Sequence, residues 1–334
     1  MEFHYRIPRK LGAWRPGTHP ATTLGAGQEF VSHMSLYDRP DPRRLDLRAS
    51  LRDVRGDWLV RVNRQRAAVA VQAVVDVSAS MQFGAERSKR DVAADFVEAL
   101  GTSAFRVGDA LGMTAFDRRE CDELFVPAML SRGAGSVMGA MLRAGGNGRD
   151  KGRTSPVGDG HRGGDRNGGR NGGKQRRGDP GRLRDGGRDG GRDGGGGGDA
   201  FGDGVGDALE STVARFAGRN CLVFIVSDFH WPLGALDRAL EVLAHAFVVP
   251  VVVWDRAEVE PPARNGLVSL RDMESGSTRT LWMRPTLRDQ WRQRVAQRRT
   301  EIQAVCARHF TRPFFLIGAF DGEAMSRYFF EATA

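Results

Sequence analysis

The chain has 334 residues, of which 40% are hydrophobic, and a formal net charge of +9. This length and apolar content allow one or two domains with a sizeable core. The odd number of cysteines (Cys121, Cys221 and Cys306) and the lack of a CxxC pair exclude a small disulfide framework. The positive charge is compatible with nucleic acid, an anionic membrane surface or an acidic protein as a partner, and it selects none of them.

The apolar segments are too short for membrane insertion. None approaches the roughly 20 residues that a bilayer-crossing helix needs. The first residues, MEFHYRIPRKLGAW, lack the apolar region of a signal peptide. We therefore expect no membrane span and a cytoplasmic location.

Residues 1–57 are rich in Arg, Pro, Gly and Asp and show little periodicity, which predicts an irregular N-terminal segment with some strand. From residue 58 onward the pattern predicts one α/β domain. An edge strand is expected from Trp58, and residues 69–75 (VAVQAVV) form the β-branched run of a buried parallel strand.

Further elements follow in chain order. The first half continues with a helix through Val92 and Leu100, strands at 110–116 and 121–126, and a helix at 134–143. In the second half, the sequence pattern predicts helices at 207–216, 233–246, 286–309 and 321–330 and strands at 221–227, 247–254 and 313–317. It also predicts a hairpin formed by 267–271 and 279–283. This alternation predicts a doubly wound, mostly parallel sheet covered by helices on both faces.

Residues 145–206 differ in composition from the rest of the chain. Gly, Arg and Asp dominate, and RDGG occurs three times in tandem from Arg184 to Gly195. Such a sequence cannot bury enough apolar surface to offset the entropy of ordering the chain. We predict a disordered insertion within the α/β domain.

A cluster of oxygen donors follows the predicted strand at 69–75. Asp76, Ser78 and Ser80 alternate directly beyond its end, and Asp228 follows the strand at 221–227. In open α/β sheets ligands bind beyond the carboxyl ends of the strands, and hard oxygen donors suit Mg²⁺. The serines could instead cap a helix, but the second strand-end carboxylate favours a metal site.

The segment DVSAS resembles the DxSxS motif of von Willebrand factor A (vWA) domains, whose metal-ion-dependent adhesion site binds Mg²⁺ or Mn²⁺. The chain as a whole resembles a bacterial family of short proteins with this domain, known only as a domain of unknown function. The resemblance rests on segments in the family's order: 41–50 (DPRRLDLRAS, with Leu47 where the family more often has Trp), 74–84 (VVDVSASMQFG), 224–229 (FIVSDF), 271–276 (RDMESG) and the helix after Pro285.

The resemblance implies a vWA-like, Rossmann-type fold, a metal site on Asp76, Ser78, Ser80 and Asp228, and a MoxR-type AAA+ ATPase as partner. The variant at 41–50 points to the MxaS-like branch from methanol-oxidation clusters, which is implicated in activating methanol dehydrogenase. One family ligand is missing, because no Thr stands in the segment 201–209 (FGDGVGDAL). Asp203 could replace it, Thr154 could fold back, or the position is empty and the metal binds weakly.

Three functions remain open at this point. The first is a non-enzymatic module in which the metal accepts an acidic side chain from a protein partner. The second is a Mg²⁺-dependent phosphatase with Asp76 as nucleophile, but the general acid of such enzymes would be Ser78, which cannot protonate a leaving group at neutral pH. The third is nucleic-acid binding by the Arg/Gly-rich insertion, although alternating Asp neutralises its charge. We predict the first, and no enzyme.

Several other polar residues have simpler interpretations. Asp109 and Asp117 flank a strand and are expected to be turn residues, and His230 is expected to be a hydrated loop histidine. On the helix at 286–309, Arg288, Arg292 and Arg299 recur at roughly helical spacing and could contact an acidic partner.

Overall fold

The computed structural model describes residues 2–7, 16–25, 29–147, 203–263, 265–271, 273 and 276–331. Its centre is a six-stranded sheet with the order β11-β8-β7-β4-β5-β6. The strands, numbered along the chain, are β4 (Ala70–Asp76), β5 (Ala110–Phe116), β6 (Val126–Met129), β7 (Leu222–Ser227), β8 (Phe247–Trp254) and β11 (Phe314–Ile317). All neighbours are parallel except the pair β5 and β6.

Helices cover both faces of this sheet, which confirms the prediction of a doubly wound, mostly parallel α/β fold. One face packs against α2 (Lys89–Val107), α3 (Ala134–Asn147) and α8 (Gly322–Glu331). The other packs against α4 (Asp203–Val213), α5 (Gly234–Val242) and α7 (Pro285–Arg308). Because both faces are covered, the central strands are continuous apolar runs, and all six residues of β7 are buried.

Helices α2 and α3 cross at a pair of glycines. A Cβ atom on Gly101 would lie only 2.4 Å from the Cα atom of Gly135. Any side chain at Gly101 would therefore force the two helices apart. This close approach sets the position of α2 relative to α3. The first residue of α2, Lys89, contacts the site described below.

The N-terminal segment is more regular than predicted. β1 (Pro16–Gly25), β2 (Glu29–Ser35) and β3 (Leu59–Ala67) form an antiparallel sheet in the order β1-β3-β2, with the short helix α1 (Leu47–Ser50) after β2. The strand predicted from Trp58 is therefore the central strand of this sheet and not an edge strand. Because β3 begins at Leu59, the N-terminal sheet extends beyond the segment 1–57 that was predicted to be irregular. The outer strands were missed because prolines and threonines in β1 obscure any alternation.

The first residues of the chain pack into the core of the α/β domain. Phe3 is buried and stacks on Phe96 of α2 and Phe329 of α8, with ring centroids 6.1 and 6.4 Å away. The N-terminal segment is therefore anchored on the face of the sheet that α2 and α8 cover.

Two other predictions differ from the structure. The strand predicted at 121–126 is a short 3-10 helix, Asp122–Leu124, followed by β6. Cys121 and Leu124, three residues apart, both pack against the core, which suits a helical turn better than an extended strand. At the insertion, residues 145–147 and 203–206 belong to α3 and α4. The rest of the predicted disordered segment, with Thr154 and the suggested nucleic-acid contacts, lies outside the described residues.

The hairpin predicted near the C-terminal end is present as β9 (Gly266–Arg271) and β10 (Thr278–Met283). It follows the short helix α6 (Arg256–Val259) and precedes α7. Within the part of the chain that the structure describes, no helix has the length and apolar character that a bilayer crossing requires.

Candidate metal centre

The four predicted ligands Asp76, Ser78, Ser80 and Asp228 lie together at the carboxyl edge of the central sheet. Asp76 is the last residue of β4, and Asp228 directly follows β7, the strand beside it. Both carboxylates are fully buried. Parallel neighbouring strands bring their carboxyl ends to one place, which is why residues 152 positions apart meet here.

A continuous set of hydrogen bonds joins the four residues. The backbone N–H of Ser78 donates to Asp76 Oδ1 at 2.9 Å. The hydroxyl oxygens of Ser78 and Ser80 are 3.2 Å apart, and the Ser80 hydroxyl donates to Asp228. The cluster therefore has two carboxylates at its ends and two hydroxyls between them.

This donor set fits a small divalent cation. Adjacent ligands of an octahedral Mg²⁺ ion are about 3 Å apart when each metal–oxygen distance is about 2.1 Å, and the two serine oxygens have nearly this separation. Among the described residues no group of three or more His, Cys, Asp or Glu side chains could hold a metal. A cation at this place would depend on the serine hydroxyls and on water for most of its ligands.

The electrostatics of the two carboxylates differ. Burial, followed by the negative charge of Asp228, raises the pKa of Asp76 above its ordinary value, and hydrogen bonds from Ser227 and Ser78 offset this only in part. Burial also acts to raise the pKa of Asp228, but electrostatic interactions with His230 and Lys89 and hydrogen bonds from Lys89 and Ser80 outweigh it and lower that pKa. A positive charge beside Asp76 would therefore stabilise its ionised form.

A match to a protein-family model shows which family the chain belongs to. A family described as "Protein of unknown function DUF58" matches residues 39–155 and 200–301, which is more than half of the chain. The chain belongs to the DUF58 family. The matched segments contain all four residues of the cluster, whereas most of the three-stranded N-terminal sheet and the centre of the insertion lie outside them.

Two solved structures are similar to this DUF58 protein at low identity. The first is an aerotolerance-related membrane protein from Bacteroides fragilis, with 12% identity, a TM-score of 0.40, and coverage of 80% of this chain and 98% of the other. The second is the conserved hypothetical protein BatB from Bacteroides thetaiotaomicron, with 13% identity, a TM-score of 0.38, and coverage of 79% and 98%. No curated protein matches the sequence.

Ser227 and Trp231 hold the Asp76 carboxylate in place. The Ser227 hydroxyl and the Trp231 indole N–H donate to Asp76 Oδ2 at 2.6 and 3.3 Å. Between them Phe229 has φ 53°, a left-handed conformation uncommon for a bulky side chain. The Arg298 guanidinium donates to the carbonyl oxygens of Phe229 and Trp231 and secures this turn. The sequence predicted none of these supporting roles, although the two aromatic residues Phe229 and Trp231, within three positions of Asp228, were a visible signal.

Lys89 is a further member of the site that the sequence did not reveal. Its ammonium is 2.7 Å from Asp228 Oδ2 and 2.7 Å from Glu258 Oε1, and its side chain is almost completely buried. Burial acts to lower the pKa of Lys89, but the charges of Asp228 and Glu258 outweigh it and raise that pKa. The site of this DUF58 protein thus already contains one permanent positive charge.

A cavity of about 220 Å³ lies beside the cluster, lined by His230, Trp254, Glu258, Arg294, Val295 and Arg298. His230 donates its backbone N–H to Asp228 Oδ1, and its half-exposed ring stacks on Trp254 with an interplanar angle of 2°. The cavity is therefore next to the predicted metal site, and His230 connects the two.

The remaining predicted residues have varied positions. Asp203 is the first residue of α4, and the contacts of its side chain are outside what the structure describes. Asp109 lies in the connection between α2 and β5, as predicted, but its side chain is buried and accepts hydrogen bonds from Tyr5 and Val69, which the sequence did not predict. Asp109 precedes β5 and so lies at the amino edge of the central sheet, whereas the cluster lies at the carboxyl edge.

The arginines predicted to contact a partner are engaged within the chain. Arg288 donates to Asn265, Arg292 pairs with Asp289, and Arg299 lies over the ring of Phe315. By contrast, Arg294 lines the cavity and forms no ion pair with any residue that the structure describes. Arg294 is therefore the arginine of α7 best placed to meet an outside group near the cluster.

Proposed function

We propose that this DUF58 protein is a protein-interaction module in which a divalent cation, Mg²⁺ or Mn²⁺, links the cluster to an acidic side chain of a protein partner. The observation that supports this is the joined set Asp76, Ser78, Ser80 and Asp228 at the edge of the sheet. The serine oxygens have the spacing of two adjacent ligands, and water or a partner carboxylate would supply the others. If Asp203 contributes, it does so through a side chain outside the part of the chain that the structure describes.

The cavity beside the cluster supports an acidic partner surface. Arg294 is exposed there and forms no ion pair with the described part of the chain, and Val295 and the His230 ring offer apolar contact. A guanidinium binds carboxylates with two parallel hydrogen bonds. A partner segment with two neighbouring acidic residues could place one at the cation and the other at Arg294.

For the partner itself we propose a MoxR-type AAA+ ATPase. The protein would act with it in the maturation or activation of an enzyme complex, with methanol dehydrogenase as the suggested client. This part of the proposal comes from the family resemblance of the sequence. We propose a non-enzymatic role because Ser78, buried and bonded within the cluster, is not an acid that could assist group transfer at neutral pH.

Capture of partners from a lysate of the source organism tests this function. With immobilised protein we expect an AAA+ ATPase, identified by mass spectrometry, to be retained in Mg²⁺ and lost in EDTA. Arg294→Glu should reduce the retained amount about tenfold, since it reverses a charge facing the partner. Arg292→Glu is the matched control, because Arg292 lies on the same helix but outside the cavity and pairs with Asp289. Equal capture in Mg²⁺ and EDTA would contradict the proposal.

A further inference from the structure

Lys89 occupies a position that is unfavourable for a positive charge. It is the first residue of α2, where the helix dipole repels cations. Its side chain is only 2% exposed, so the ammonium has lost nearly all of its hydration. The two carboxylates of Asp228 and Glu258, each at 2.7 Å, offset these costs, together with the ring of Phe83, whose centroid is 5.8 Å from the ammonium. An ammonium held against two opposing effects indicates a role beyond packing.

The choice of lysine is also unusual in this chain. Of 50 Lys and Arg residues only four are lysines, namely Lys10, Lys89, Lys151 and Lys174. An ammonium is a compact point charge, whereas a guanidinium is a broad planar fork. The narrow space between Asp228 and Glu258 suits the compact group.

We infer that Lys89 is a resident cation of the site, and that its fixed charge beside Asp228 weakens the binding of a divalent cation. The ammonium holds Oδ2 of Asp228, while Oδ1 accepts from His230. Asp228 therefore has little free negative charge to offer to a metal, and a metal near Ser80 would also be repelled by Lys89. The site is built for weak, readily reversible cation binding, as suits an interaction that must be released.

This inference rests on the proposed cation site and is tested by Mn²⁺ titration of the full-length protein. We expect Lys89→Gln to bind Mn²⁺ at least tenfold more tightly than the wild type, because one positive charge is removed within a few ångströms of a divalent ion. Arg87→Gln also removes a positive charge close in sequence, but the Arg87 side chain is half exposed and pairs with Asp95 of α2. Its Mn²⁺ affinity should equal that of the wild type.

The outcomes separate the inference from the proposed function. If the wild type binds no Mn²⁺ but Lys89→Gln does, the inference stands and the proposed cation-dependent function fails. If Lys89→Gln binds no more tightly than the wild type, or if neither protein binds, the inference is overturned. Circular dichroism establishes that the variants are folded.

A measurement on the wild type covers the case in which Lys89→Gln does not fold. With four lysines, ¹³Cε-lysine labelling gives few signals, and the Lys89 signal is the one that remains when Lys10, Lys151 and Lys174 are replaced by arginine. Substoichiometric Mn²⁺ should broaden the Lys89 signal before the others. Mn²⁺ binding that leaves this signal unchanged would place the ion elsewhere and overturn the inference.

Discussion

Asp76→Asn is expected to abolish the stabilisation of the protein by Mg²⁺. A ligand that binds only the folded state at 100 times its Kd stabilises that state by about 2.7 kcal/mol. The wild type should therefore unfold at higher temperature in Mg²⁺ than in EDTA, and the variant should show the same melting temperature in both. The fold should survive, because asparagine is isosteric and burial already raises the pKa of Asp76, so that its ionised form destabilises the metal-free protein at neutral pH.

Asp117→Asn is the matched control for this experiment. Asp117 follows β5, the other neighbour of β4. The substitution therefore removes a carboxylate from the same edge of the sheet. It should leave the Mg²⁺ effect unchanged. A Mg²⁺-dependent rise in melting temperature that persists in Asp76→Asn would show that the cation binds somewhere other than the cluster.

Asp109→Ala is expected to lower the free energy of unfolding by about 3–5 kcal/mol, the range for removing one partner of a buried charged network. Asp109 is 1% exposed and accepts hydrogen bonds from the Tyr5 hydroxyl at 2.6 Å and the Val69 N–H at 2.8 Å, and His19 Nε2 is 2.8 Å away. Burial and the charge of Asp109 raise the pKa of Tyr5, so its phenol remains a donor. The substitution leaves all three groups without this acceptor.

Urea unfolding followed by tryptophan fluorescence measures this loss. Asp117→Ala serves as the comparison, since Asp117 flanks the other end of the same strand and is only partly buried. We also expect Asp109→Ala to become sensitive to proteolysis near the N-terminus, because Tyr5 and His19 tie that segment to the core. A loss of stability no greater than that of Asp117→Ala would contradict this account.

The central strands could be predicted from sequence because burial on both faces makes each of them an apolar run. The predicted bounds of β5 and β8 agree with the structure. The N-terminal sheet could not be predicted in the same way. Its strands are stabilised by pairing with one another and by contacts distant in sequence, and β1 contains prolines that argue locally against a strand.

The site was predictable only in part, for a similar reason. The alternation in DVSAS and the acid after β7 are local patterns that place oxygen donors at strand ends. Lys89 lies within the basic segment Arg87-Ser-Lys-Arg90, which resembles a solvated surface. Its partners are 139 and 169 positions away, so only the folded chain shows that it is buried between them.

Diffraction from crystals of the full-length protein soaked in Mn²⁺ tests the central claim most directly, because anomalous scattering locates the ion independently of any activity. We predict a peak in contact with the hydroxyl oxygens of Ser78 and Ser80, between Asp76 and Asp228. The peak should be absent from Asp76→Asn crystals soaked in the same way. A cluster without a peak in the wild type, or peaks only at exposed surface carboxylates, would contradict the assignment of this site to a divalent cation.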